Sequence, residues 1–165
     1  MSCPICDETI RDTETLLKRV EDVDLLVRLA CDMADHVSCL GLDPASGQYL
    51  RAARAWREAP AALSEAQRAA LAAQSLEDVP TALACATSAV ACAVESAVWA
   101  ALTREAKVVE RAEQVAASAR MAWAISRNTR SEKIWQMAHI RRVACSCAEL
   151  HIPADNRLRT SLLAD

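Results

Sequence analysis

The sequence predicts an all-α protein: a single-domain multi-helix bundle of about six helices packed around a central, Ala-rich apolar helix. Three observations carry that prediction. Hydrophobic residues make up 53% of the chain, yet aromatics only 3%, and phenylalanine is absent. The core must then be built from Ala, Leu and Val; small side chains let helix axes approach closely, whereas strands favour β-branched and aromatic residues. With 2 Gly and 5 Pro, the chain lacks the turn chemistry of a many-stranded fold. Apolar residues also recur at spacings of three and four, the period of one helix face. At 165 residues the chain is one ordinary domain, long enough to bury a core without disulfides.

Each element follows from local signals. Residues 8–19 read as a short helix anchored by Ile10, Leu16 and Leu17. A stronger helix runs from about Val23 to Leu40, with Leu26, Leu29, Ala30, Met33, Ala34 and Val37 on one stripe and Asp24, Arg28, Asp32 and Asp35 off it. Gly41 ends it by permitting a left-handed backbone. Asp43-Pro44 starts the next helix, a carboxylate N-cap followed by proline at the first helical position; it runs to about Arg57 and buries Leu50, Ala53 and Trp56. Pro60 closes the link, and Ser64-Glu65-Ala66-Gln67 is a capping-box pattern that opens a helix to about Gln74. Asp78 and Pro80 begin the long apolar helix to about Ala101. A charged helix follows, about Arg104 to Ser126, turning Val108, Val115, Ala119 and Ala122 inward. No Gly or Pro marks the break between these two near residues 101–105. Thr129-Arg130-Ser131-Glu132 is a second capping box. It opens a last helix, about 132–151, with Ile134, Trp135, Met137, Ala138, Ile140, Val143 and Ala144 offered for packing. Pro153 stops it. The domain therefore spans 1–153, with a CPIC segment at 1–7, and 154–165 reads as a polar tail.

Charge and cysteine usage narrow the function classes. A formal charge of −3 argues against a dedicated nucleic-acid binder, which carries a basic excess. The opening Met1-Ser2-Cys3-Pro4-Ile5-Cys6-Asp7-Glu8 has no basic and no apolar export region. Val79 to Leu102 is the one candidate membrane span, but alanine contributes little transfer energy and Glu95 lies near its middle, so a buried central helix is expected. Eight cysteines without an export signal imply reduced thiols and a cytoplasmic location.

Among the cysteines, Cys3-Pro4-Ile5-Cys6 is the sharpest motif, because two thiolates two residues apart can chelate one zinc ion. Cys147 and His151 lie one helical turn apart and would complete a structural Cys₃His site with Cys3 and Cys6; Cys145 is the alternative ligand. Free thiols or a redox pair are the other readings of the same motif, and a redox pair would need the helix N-terminus and βαβ setting that lower a thiol pKa. Cys31, Cys39, Cys85 and Cys92 read as small hydrophobic core residues.

For catalysis, His36 beside Asp35, one turn from Asp32, has the makings of an oriented base but no evident nucleophile. It reads instead as a histidine at the edge of the core. His139, beside Arg141 and Arg142, reads as part of a solvated helix face. Neither glycine sits in a phosphate loop, and no catalytic constellation emerges. Trp56, Trp99, Trp123 and Trp135 supply the aromatic area. Trp123 with Arg120, Arg127 and Arg130 is the preferred partner-binding hot spot, and Asp22, Asp24, Asp32 and Asp35 could form an acidic patch facing a basic toxin.

Three segments in order resemble a group of bacterial Ala-rich helical immunity proteins of the Imm-five-like type. They are Leu29-Ala30-Cys31-Asp32-Met33-Ala34-Asp35-His36-Val37, Ala52-Ala53-Arg54-Ala55-Trp56 and Glu132-Lys133-Ile134-Trp135-Gln136-Met137. The turn Leu42-Asp43-Pro44-Ala45-Ser46-Gly47-Gln48 and the CPIC opening depart from that pattern. The resemblance implies a non-enzymatic helical protein that neutralises a toxin by direct binding. The alternative expectation is an adaptor module whose termini are pinned by one structural zinc. Either way the expected partner is a protein, a toxin or an assembly partner, with no nucleic acid and no membrane.

Overall fold

The structure, a computed structural model, describes residues 5, 7, 9–74, 81–126 and 129–145, with the side chains of 129 and 130 excepted. The described chain is all-α. Seven α-helices follow one another: α1 (Thr13–Leu17), α2 (Val23–His36), α3 (Ala45–Arg54), α4 (Pro60–Gln74), α5 (Ala82–Ala101), α6 (Glu105–Ile125) and α7 (Thr129–Ala144), with a 3-10 turn at Ser38–Leu40 after α2. About six helices were expected. The expected polar tail 154–165 and the end of the last helix near 151 lie outside the described residues.

Side-chain caps start three of the helices. Asp12 accepts from the amide of Thr15, Asp22 from that of Leu25, and Thr81 from that of Ala84, each satisfying a first-turn amide that lacks a partner inside its helix. The Asp43 carboxylate accepts from the amide of Ala45 at 2.8 Å. After α2 the 3-10 turn is closed by Gly41, whose φ of 97° is left-handed as expected. In α4, helical structure begins at Pro60 rather than Ser64, because proline's fixed φ suits a first helical position. The Ser64 capping box is thus overridden.

The break between α5 and α6 falls at Leu102-Thr103-Arg104, where Thr103 adopts φ 55°. A β-branched residue in the left-handed region is strained. The turn is held by the Arg104 amide donating to Trp99 O at 2.9 Å and the Thr103 amide donating to Ala100 O at 3.0 Å.

Helix α5 packs most extensively against α6 and also touches α2, α3 and α4. It is the described helix long and apolar enough to cross a membrane, yet Ala86, Ala89, Val90, Ala91, Ala93, Val94, Ala97 and Ala100 are buried within the protein. The stripe foreseen on α2 is buried throughout, and so are Val108, Val115, Ala119 and Ala122 of α6.

Helix α7 packs Trp135, Met137, Ile140, Val143 and Ala144 against the core as expected, but Ile134 and Ala138 face outward. Ile134 is 60% exposed, whereas Glu132 and Gln136 are buried with Ile140. The inward stripe is 132, 136, 140: two polar residues one turn apart, in register with an isoleucine. Their hydrogen bonds act together with the apolar packing of Trp135, Met137, Ile140 and Val143 in seating this helix.

Candidate functional site

Around α7 the inward-turned polar side chains join α1, α2, α3 and α6 into one network. Its centre is Gln136. The amide nitrogen donates to Ala116 O at 3.1 Å and to Glu132 Oε1 at 2.9 Å. The amide oxygen accepts from Arg120 Nη1 at 3.1 Å and from Thr13 Oγ1 at 3.4 Å. All four hydrogen-bonding positions of the side chain are thereby used. Arg120 also binds Glu14 of α1.

Glu132 is fully buried, and its second oxygen accepts from His36 Nδ1 at 2.8 Å. A buried carboxylate without such partners costs several kcal/mol, on the order of 2–7 even for a neutral polar group. With two donors it locks α7 to the end of α2. The His36 ring stacks on Trp135 with centroids 3.6 Å apart and planes 5° from parallel, and lies 6.0 Å from the Trp123 ring. His36 thus sits at the edge of the core as expected, but its carboxylate partner comes from α7 instead of from Asp35 or Asp32.

His139 corrects the sequence reading. Its side chain is only 10% exposed, and its ring also stacks on Trp135, at 4.9 Å. Arg142 contacts Nδ1 at 2.8 Å, and Asp32 contacts Nε2 at 3.0 Å. A guanidinium only donates, so Nδ1 accepts and Nε2–H donates to Asp32, which fixes the tautomer. The packing of α7 on α2, rather than the neighbouring arginines, decides where this ring goes.

Asp32 carries the network to α3, accepting from Arg54 Nη2 at 3.0 Å; Arg54 also lies 3.6 Å from Asp35. Burial alone would raise the Asp32 carboxyl, but hydrogen bonds from His139 and Arg54 outweigh it and hold the pKa below the ordinary value. Three residues further along, Arg57 grips both oxygens of Asp24 at 2.9 Å and lays its guanidinium 4.3 Å from the centre of the Trp56 ring.

The expected partner-binding set is therefore redistributed. Arg120 is half-buried and engaged with Glu14 and Gln136, so it does not join an exposed hot spot. The Trp123 ring is half-buried beside His36, and its buried indole N–H has no hydrogen-bond partner among the described residues. Arg127 and the Arg130 side chain lie outside the described residues. Asp22 caps α2, Asp24 is held by Arg57, and Asp32 by Arg54 and His139, so most of the anticipated acidic patch is neutralised within the protein; Asp35 remains exposed.

The proposed zinc ligands Cys3, Cys6, Cys147 and His151 lie outside the described residues. Among the described residues no group of three or more metal-ligating side chains converges. Cys31, Cys39, Cys85 and Cys92 are free thiols; Cys31 and Cys92 are buried as core residues, but Cys85 is half-buried and Cys39 exposed, which corrects the expectation that all four belong to the core, and Cys145 is disulfide-bonded rather than a reduced thiol. A sulfur committed to an S–S bond offers no thiolate to a metal, which removes it as the alternative ligand in this state. Burial pushes the Cys31 thiol up to about 12 and also raises Cys92 and Cys85. Beside Cys145, Arg141 Nη2 donates to the carbonyls of Asp7 at 3.2 Å and Ile10 at 3.0 Å, and Ile5 is buried. Asp7 and Ile10 are thus held to α7 through their carbonyls.

Sequence reasoning missed Gln136 and Glu132 as network residues, naming Gln136 only within a family resemblance and Glu132 there and in a capping box. The available signal was their four-residue spacing in phase with Ile140. Comparison with family models, with curated proteins and with solved structures finds no match.

Proposed function

We propose that this chain is a non-enzymatic helical binding protein, built as a bundle around α5, that acts as a cytoplasmic immunity partner of a bacterial toxin. One observation carries the reading. The three segments on which the family resemblance rests lie far apart in sequence, yet their distinctive side chains meet in one interlocked network. Asp32, Asp35 and His36 come from the first, Arg54 from the second, and Glu132, Trp135 and Gln136 from the third. The two imidazoles are engaged in stacking and in carboxylate contacts that hold helices together, a use that fits a rigid binding scaffold. Neutralisation would follow from occlusion of the toxin's surface by a preformed face, with little ordering cost on association.

Co-expression with any toxin encoded beside this gene tests the proposal. Protection of the host together with a stoichiometric complex on co-purification is the expected result; neither protection nor complex for any of them sinks it.

A second reading, an adaptor module with pinned termini, is favoured by the hold of Arg141 on the Asp7 and Ile10 carbonyls. It predicts that exchanging Cys3 and Cys6 for Ser lowers the melting temperature, and that stoichiometric zinc accompanies the reduced protein.

A further inference from the structure

The eight cysteines of the chain divide into two groups. Cys31, Cys39, Cys85 and Cys92, on α2, the 3-10 turn and α5, are free thiols. Cys145, one residue beyond α7, is disulfide-bonded. Its partner sulfur therefore belongs to Cys3, Cys6 or Cys147, the cysteines that remain at the two ends of the chain.

The contacts around Arg141 decide among them. Ile5 and Ile10 are buried in the core. Between them the Asp7 carbonyl accepts from Arg141 Nη2 at 3.2 Å, and the Ile10 carbonyl accepts from the same nitrogen at 3.0 Å. The Asp7 carboxylate is held as well, accepting from the amide and the hydroxyl of Thr9 at 2.9 and 2.6 Å. Cys6 is bonded to both Ile5 and Asp7, which places its Cα one peptide step, about 3.8 Å, from each. Cys145 donates its amide to Arg141 O at 3.0 Å and packs against the core, one helical turn beyond Arg141 on the same face. The arginine that grips Asp7 is thus the residue directly below Cys145. Half-cystine Cα atoms lie about 4.4–6.8 Å apart, a separation on the order of that one turn. Cys3 is three residues further from the anchored Asp7. A bond to Cys147 would close a ring over Ser146 alone, with little freedom to bring the two Cβ atoms to about 3.8 Å.

We infer that Cys6 and Cys145 form a disulfide clasp that ties the CPIC segment to the end of α7, and that this clasp is a redox-responsive fastening of the fold. It closes a loop that holds nearly the whole chain, and cross-links over long loops restrict the unfolded chain most. Opening it takes two electrons and two protons, which two glutathione thiols supply as they leave as glutathione disulfide; Cys6 and Cys145 are returned as thiols. Excess glutathione disulfide reverses the step. In a reducing compartment the clasp opens, and in an oxidising one it stays closed. Burial keeps the Cys31 and Cys92 thiols out of this exchange. A sulfur in an S–S bond offers no thiolate, so the clasp and a zinc ion at Cys6 are alternative states. Toxin neutralisation does not depend on the clasp, and co-expression judges it separately.

Peptide mapping of the full chain, equilibrated with glutathione disulfide, tests the clasp. Free thiols are alkylated during denaturation, trypsin is applied without reduction, and the fragments are sequenced by mass spectrometry. The expected product joins residues 1–11 to residues 143–157 through Cys6 and Cys145. Cys145 joined to Cys3, to Cys147 or to any other cysteine, or found alkylated, overturns the assignment. Melting followed by circular dichroism, with EDTA present to remove any metal, is the second measurement. Dithiothreitol should lower the Tm of the wild type by roughly 10 °C. Cys145→Ser should melt near the reduced wild type and ignore the reductant, whereas Cys147→Ser should keep the full response. A wild-type Tm unmoved by dithiothreitol, or a Cys145→Ser variant that still responds to it, overturns the redox fastening.

Discussion

Replacing Gln136 by Met keeps the length of the side chain and removes its amide, which makes it the most direct test of how α7 is seated. The substitution deletes the bonds to Glu132 Oε1, Ala116 O, Arg120 Nη1 and Thr13 Oγ1. Arg120 retains Glu14, and Glu132 retains His36 on its other oxygen. The main loss is one buried carboxylate oxygen left without a donor, together with one charge-assisted bond from Arg120. Hydrogen bonds to charged groups contribute about 1.5–3 kcal/mol and an orphaned buried acceptor costs about 1–3 kcal/mol, so a destabilisation of roughly 2–4 kcal/mol is expected once partial compensation is allowed for. For a domain of this size that corresponds to a drop of roughly 4–16 °C in Tm. Ile134→Gln on the same helix is the control. Ile134 is 60% exposed, so its loss should cost less than about 0.5 kcal/mol. Urea denaturation followed by circular dichroism, with midpoints compared at constant slope, measures both. If Ile134→Gln proved the more damaging of the two, the helix would be rotated to bury its isoleucine and the network described above would be wrong.

Three further outcomes follow from the same geometry. Asp32, with its pKa held down, contributes stability that is present above the unfolded carboxylate value near ~3.9 and is lost as pH falls through the lower folded value; Asp32→Asn should therefore be less stable than wild type at pH 7, with the gap closing below about pH 4, and a gap unchanged down to acid pH in urea titrations would refute it. Native alkylation read by mass spectrometry should label exposed Cys39 and spare buried Cys31, whose thiol is pushed up to about 12; comparable labelling of the two would contradict that burial. Thr103→Gly should stabilise the protein by about 1 kcal/mol in the same urea assay, because glycine adopts φ 55° without the Cβ clash, and a destabilised variant would show that the threonine side chain contributes more than its backbone costs.

Where hydrophobic burial alone orients an element, the amino-acid pattern revealed it. The stripes of α2 and α6 and the left-handed Gly41 are local consequences of spacing and of glycine's missing Cβ. The α5–α6 break was hidden because a threonine, chemically ill suited to the conformation, occupies it under tertiary constraint. The orientation of α7 was hidden for a related reason: Glu132 and Gln136 belong inside only because His36, Arg120 and Ala116 O wait there. The acidic residues of α2 were read as a patch facing a basic toxin, since their arginine partners lie 22 and 33 positions downstream at Arg54 and Arg57. His139 was misplaced on the same grounds, its aspartate being 107 positions away. Long-range polar pairing leaves no periodic trace.

The alanine seam between α5 and α6 has a consequence for how this protein can vary. Alanine has no rotamers to freeze, so that interface forms at little side-chain entropic cost and contains few atoms that could rearrange around a newcomer. Ala93 and Ala97 are fully buried, so exchanging either for leucine overpacks the core and forces its surroundings to shift. The middle of the molecule is consequently closed to drift in size, while the exposed surface is free to diversify. A lineage of such proteins could change what it recognises without renegotiating how it folds.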